Sequence, residues 1–156
     1  MSEVAVGERR LRSAGPEETA QLGGRLAGRA IAGDVLCLWG GLGAGKTVFA
    51  KGFGAGLGVT DTITSPTFVL MAEYAGRLPL FHLDLYRLAD ASDAYASGLI
   101  DDRQAAGVTL IEWPERMIAT LPARRLDVVF DGVDDDVRRI TLRAGADDLA
   151  RYLAAA

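Results

Sequence analysis

The stretch Val35-Leu36-Cys37-Leu38-Trp39 runs directly into Gly40-Gly41-Leu42-Gly43-Ala44-Gly45-Lys46-Thr47. An unbroken apolar run of this length reads as a strand buried on both faces, as in a parallel sheet. The residues after it, "KTVFAKGFGAGLG", read as a helix that ends near Gly56 or Gly58. Between strand and helix lies G-x-x-x-x-G-K-[ST] in full, the order that a phosphate-cradling loop requires. Glycines let the backbone wrap closely enough for successive N–H groups to meet phosphate oxygens. The helix start adds its own unpaired N–H groups and the positive end of its dipole. A chance glycine-rich match would lack the strand before it and the helix after it.

The charges support the same reading. Lys46 and Lys51 are the only lysines of the chain, and every other basic side chain is arginine. An arginine fork grips two oxygens in a plane, whereas a phosphate loop takes a slender point charge. Lys46 is therefore expected to reach the β- and γ-phosphates, and the Thr47 hydroxyl to bind Mg²⁺. The predicted nucleotide-binding segment is Gly41, Leu42, Gly43, Ala44, Gly45, Lys46, Thr47 and Val48. Lys51 reads as a solvated surface residue. No N-K-x-D guanine-reading motif occurs, which favours ATP over GTP.

Such a loop also needs acids at the ends of neighbouring strands. Glu112 closes "VTLIEW", where apolar residues run straight into a carboxylate, and Asp84 follows "LPLFHL". A buried strand ending in an acid is costly unless the acid is paired or metal-bound. Capping or a surface turn is the alternative role for either acid taken singly. The runs Asp101–Asp102, Asp134–Asp136 and Asp147–Asp148 read as turn and cap material without chemistry. His82, the sole histidine, lies two residues before Asp84 on the same strand face and reads as structural. Cys37 reads as packing, and Trp113 as a core or lid residue. "TSPTF", Thr64 to Phe68, is either a plain entry to a strand or a loop that senses a γ-phosphate; periodicity leaves both open.

At 156 residues, with 49% hydrophobic and 24% charged side chains, the chain is large enough to bury a core. Residues 1–156 are expected to form one domain. The net charge of −4 argues against an autonomous nucleic-acid binder, so no stable DNA binding is expected. A single cysteine rules out internal disulfides and a cysteine zinc site. No run resembles a signal peptide or a membrane span, so the expected location is cytoplasmic. The remaining elements read as a first strand at "RRLRSA", a helix over "GPEETAQLGGRLAGRAI", and two strands over "TFVLMAEY" and "LPLFHLDLYRL". Short helical pieces come next at "DASDAYASG" and "LIDDRQAA", then a late hairpin over "RLDVVFDGVDDDVRRITLRA" and a closing helix at "ADDLARYLA". The sum is an α/β fold of the P-loop NTPase kind, a small mixed sheet with parallel core strands sandwiched between helices.

"GGLGAGKT", "TSPTF", "FHLDLYRL" and "TLIEWPER", in this order and spacing, resemble the bacterial TsaE (YjeE) family. The resemblance runs from "GPEETAQLGGRLA" to "TLIEWPER". It implies a small Mg²⁺-dependent ATPase required for threonylcarbamoyl modification of adenosine 37 in tRNAs that read ANN codons. By the same resemblance it acts beside the TsaB–TsaD pair and reaches tRNA only through that complex. Lys46 and Thr47 fall on the family's nucleotide and Mg²⁺ residues, Asp84 and Glu112 on its acids. Ser65 to Thr67 fall on its switch-like loop, Trp113 on its tryptophan after the glutamate, and "SAGPEET" where the family approaches the adenine. One departure is Gly41, where the family commonly has Asp. The rival readings are a small-molecule kinase using the same loop and a nucleotide-dependent binding module without turnover. Between Glu112 and the late hairpin the sequence offers no clear basic lid for a kinase. Whether Asp84 or Glu112 contacts the metal or orients water is open from sequence.

Overall fold

The computed structural model describes residues 7–64, 71–86 and 102–156. The elements in chain order are β1 (Gly7–Ser13), α1 (Pro16–Ala27), β2 (Val35–Trp39), α2 (Lys46–Gly56), β3 (Met71–Tyr74), β4 (Leu80–Asp84), β5 (Val108–Glu112), β6 (Leu126–Asp134), β7 (Val137–Ala144) and α3 (Ala150–Ala155). Short 3-10 segments occupy Asp102–Ala106, Pro114–Thr120 and Asp147–Leu149. The strands form one sheet in the order β1-β7-β6-β2-β5-β4-β3. β6, β2, β5 and β4 run parallel at its centre, and antiparallel strands close both edges.

Alternation along the strands divides the interior into two clusters. Leu36 and Leu38 of β2, Leu110 of β5 and Val128 of β6 face α1 and α2, where Phe49 and Phe53 complete the larger core. Cys37, Phe81, Leu83 and Ile111 face the other way and pack with Met117 of the 114–120 turn. Cys37 is therefore packing, as expected, and burial pushes its thiol well above the ordinary range.

Glycine inside a helix costs propensity, but Gly23 of α1 and Gly52 of α2 have a tertiary use. A Cβ on Gly23 would lie 2.5 Å from the Phe49 carbonyl oxygen and one on Gly52 2.0 Å from that of Ala20, so α1 and α2 cross with backbones nearly touching. The helix itself stops at Ala27, short of the predicted Ile31. The closing helix begins later than predicted, with a 3-10 turn over Asp147–Leu149 and α3 after it. The 3-10 turn at Pro114–Thr120 has no counterpart in the sequence reading, because its φ/ψ values break at Met117 and leave no helical period to read. "DASDAYASG" and the switch-like Ser65 to Thr67 lie outside the described residues.

Candidate nucleotide site

Parallel strands end together, and here β2, β4 and β5 deliver their last residues to one edge of the sheet. β2 leads into the phosphate loop, β4 ends at Asp84 and β5 at Glu112, with Asp84 opposite Glu112 in register. The carboxyl ends of parallel strands are where α/β folds place ligands. A cleft of about 400 Å³ opens there, within the usual range for a small-molecule site.

The loop makes its turns through glycines in the left-handed region, Gly43 at φ 74° and Gly45 at φ 107°. Gly45 immediately precedes α2, so the helix opens at Lys46 with its first N–H groups toward the cleft. Leu42, Gly43, Ala44, Gly45, Lys46, Thr47 and Val48 line the cleft together with Asp84 and Glu112. Gly41 is the exception among the predicted residues: it lines an adjoining groove beside the β6–β7 hairpin.

Lys46 is 5% exposed. Its Nζ donates to the Gly40 carbonyl at 2.7 Å and sits 3.6 Å from the centroid of the Trp113 ring. Burial lowers the pKa of this ammonium; Glu112, Glu115 and Asp84 act against that. Trp113, expected as a core or lid residue, packs against the smaller apolar cluster and lines the cleft. It stacks obliquely on Tyr86 at 4.9 Å, and its backbone is in the left-handed region at φ 60°. That conformation is uncommon for a bulky residue and typical of sites rather than scaffolds.

The acids differ in their surroundings. Glu112 is buried, and its Oε2 meets Nε2 of His82 at 2.5 Å. With the shared proton on Nε2, Nδ1 of His82 is a buried acceptor without a partner among the described residues. The histidine expected to be merely structural is thus half-satisfied and in contact with a site acid. Asp84 is half-buried and accepts the Tyr86 backbone N–H at 3.1 Å. Burial pushes its carboxyl above the ordinary range, with Glu112 adding to the push; the Tyr86 N–H, His82 and Lys46 pull it back. Two adjacent, under-solvated carboxylates beside a threonine hydroxyl offer hard oxygen donors. That set suits Mg²⁺, which takes one or two carboxylates and leaves its other positions to water and phosphate.

Sequence reasoning missed part of the lining. Asp136 and Arg138 also border the cleft, and Asp136 belongs to a run that reads as turn material from sequence; Pro16 and Thr19 of α1, which border it too, fall within the "SAGPEET" segment that the family resemblance sets near the adenine. Tyr86 is in view within "FHLDLYRL" but carries no signal of its own. Lys51 is exposed on α2, as expected.

A family model described as "Threonylcarbamoyl adenosine biosynthesis protein TsaE" matches residues 13–140. The chain is 46% identical over 134 residues to the "tRNA threonylcarbamoyladenosine biosynthesis protein TsaE" of Bacillus subtilis (strain 168), covering 85% of this chain and 84% of that protein. The protein of the same name from Treponema pallidum is 42% identical over 81% of this chain and 93% of its own length. Among solved structures, a crystal structure of Bacillus subtilis YdiB superposes with a TM-score of 0.80 at 38% identity. That match covers 98% of this chain and 95% of the other. The phosphate loop, its two strand-end acids and the mixed sheet beneath them are thus the local geometry of a wider likeness, and the chain belongs to the TsaE family.

Proposed function

We propose that this chain binds and hydrolyses Mg²⁺–ATP in support of threonylcarbamoyl modification of adenosine 37 in ANN-decoding tRNAs, as the ATPase partner of a TsaB–TsaD pair. The observation that carries the ATPase reading is the meeting of Lys46, Thr47, Asp84 and Glu112 at the mouth of one cleft. The names of its relatives, biosynthesis proteins for tRNA threonylcarbamoyladenosine, support the tRNA role.

Phosphoryl transfer asks the protein for positioning and charge neutralisation. The loop N–H groups and the α2 terminus receive phosphate oxygens. Lys46 exchanges the Gly40 carbonyl and the Trp113 ring for phosphate, both weaker partners for an ammonium than an anion. Thr47 and Asp84 would hold Mg²⁺, which when bound would neutralise charge on the phosphates. In this reading Glu112 orients the attacking water, and His82, at 2.5 Å from Oε2, holds its carboxylate. Trp113 and Tyr86 border the site and limit access of bulk water. Hydrolysis then serves to reset the partner complex.

The test is ATP turnover by the purified chain with Mg²⁺, alone and with TsaB–TsaD, using Lys46→Ala as the blank. Slow turnover alone and strong stimulation by the pair are expected. Turnover indifferent to the pair would remove the partner role and send the search to phosphoryl acceptors.

A further inference from the structure

Arg138 lies in β7, 94 residues from the loop it touches. Its Nε donates to the Ala44 carbonyl at 3.2 Å and its Nη2 to the Gly43 carbonyl at 3.0 Å. The other arm, Nη1, donates to the carbonyls of Asp135 at 2.5 Å and Val137 at 3.0 Å. One guanidinium therefore bridges the phosphate loop and the β6–β7 turn. All four acceptors are neutral carbonyls, and no carboxylate pairs with Arg138 among the described residues. The guanidinium lies at the rim of the cleft that it lines together with Asp136.

A trans peptide is planar, with its C=O and the next N–H pointing in opposite directions. Holding the Gly43 and Ala44 carbonyls toward Arg138 therefore turns the N–H groups of Ala44 and Gly45 away from it. The Ala44 N–H closes on the Gly41 carbonyl at 3.2 Å. Gly43 and Gly45 would otherwise make this segment costly to order, because glycine loses more freedom than any other residue. A planar fork bound to two successive carbonyls removes much of that freedom before ligand arrives.

We infer that Arg138 is a positioning residue for the nucleotide: it pre-orders the phosphate loop from outside and adds a cation to its rim. The inference rests on the nucleotide reading of the site. It predicts an effect on affinity for both MgADP and MgATP, because both carry the phosphates that such a loop cradles. It predicts little effect on the chemical step, which Asp84 and Glu112 serve.

The experiment measures Kd for MgADP and MgATP, single-turnover rate at saturating ATP, and amide hydrogen exchange over residues 41–47 without nucleotide. The proteins are wild type, Arg138→Met, Arg138→Lys and, as a control on the same strand, Arg143→Met; Arg143 pairs with Glu8 and lies away from the loop. Losing two charge-assisted bonds and the charge should weaken both nucleotides ~10-fold in Arg138→Met. Arg138→Lys keeps the charge without the fork and should recover part of that loss. Turnover at saturation should stay within ~3-fold, and exchange over 41–47 should quicken in both variants. Kd within ~2-fold of wild type in both variants, unchanged exchange, or a loss confined to turnover would each overturn the inference. Full rescue by Lys would reduce Arg138 to a charge and overturn the fork. Wild type failing to bind MgADP would instead take down the nucleotide reading, and this inference with it.

Discussion

Two buried carboxylates sit at opposite ends of the same parallel sheet, and the protein treats them in opposite ways. Asp34 immediately precedes β2 and is fully buried. It accepts from Arg124 at 3.2 Å, from the Ile31 N–H at 3.0 Å, and through short contacts from Arg151 and Tyr152. Glu112 ends β5, is 3% exposed, and has one described hydrogen-bond partner, His82. A buried charge is tolerated when protein donors saturate it. Asp34 meets that condition and ties β2 to the C-terminal helix. Glu112 does not meet it, and the shortfall faces the cleft where ligand groups would supply what is missing. Burial alone says little about an acid's role, whereas the count and source of its donors separates scaffold from site.

The largest expected effect comes from Glu112→Gln. If the carboxylate orients water, turnover at saturating ATP falls ~100-fold or more, with nucleotide affinity within a few-fold. The nucleotide-free protein should stay within ~1 kcal/mol of wild type, since an under-partnered buried charge has gone but so has a counter-charge to Lys46. Calorimetric unfolding beside single-turnover kinetics reads both. A loss of stability at unchanged turnover would reverse the comparison.

The mirror experiment is Asp34→Asn. The amide places N–H groups against donors already aimed at the carboxylate. The loss should be about 2–3 kcal/mol, below that of a sealed ion pair because Arg124 and Arg151 can still reach water. Urea unfolding measures it. Nucleotide affinity of the folded fraction should be unchanged, and a parallel loss of affinity would mean that the two ends of the sheet are coupled.

The contrast between the two acids also marks how far sequence reading reaches here. The strand–loop–helix unit is legible because each part leaves a local trace: an apolar run, glycines where φ turns positive, a lysine where a point charge is needed. The strand-end acids are legible because apolar runs stop at them. The illegible features join distant segments. Asp34 gathers partners from residues 31, 124, 151 and 152, and Arg138 reaches across to Gly43 and Ala44. His82 finds Glu112 because β4 and β5 are neighbours in register, setting His82 beside Leu110 and Asp84 beside Glu112. Local periodicity carries no information about such pairs. The use of the glycines in α1 and α2 is illegible for the same reason, since their cost is local and their benefit is a helix crossing.

Asp84 offers a smaller and subtler test. Its folded pKa is raised, first by burial, so the folded chain holds that proton more tightly than the unfolded chain does. Stability from this group therefore falls as pH rises from the ordinary carboxylate range through the raised value. Above that window the penalty is fully present, and below it the penalty is absent. Asp84→Asn should stabilise the nucleotide-free protein modestly at neutral pH, with the gain disappearing in acid. Urea midpoints at both pH values check the sign. A gain that persisted below the ordinary carboxylate range would trace to packing, not charge.

The smallest effect is expected from an acid placed at the functional end but left in water. A Cβ on Gly41 would meet nothing within 4 Å, and the residue is exposed. Gly41→Asp, the residue its family commonly carries there, should shift stability by less than ~0.5 kcal/mol. Its charge lies at the loop rim in high dielectric, so any repulsion of nucleotide should be about two- to three-fold at low salt and vanish near physiological ionic strength. Titrations of MgADP at two salt concentrations decide this. A small, salt-erased effect would show that position near the phosphates gives a carboxylate little leverage until burial removes its water. A large, salt-resistant effect would mean that Asp at position 41 acts through loop geometry, and the distinction drawn from donors and burial would then have to include backbone conformation.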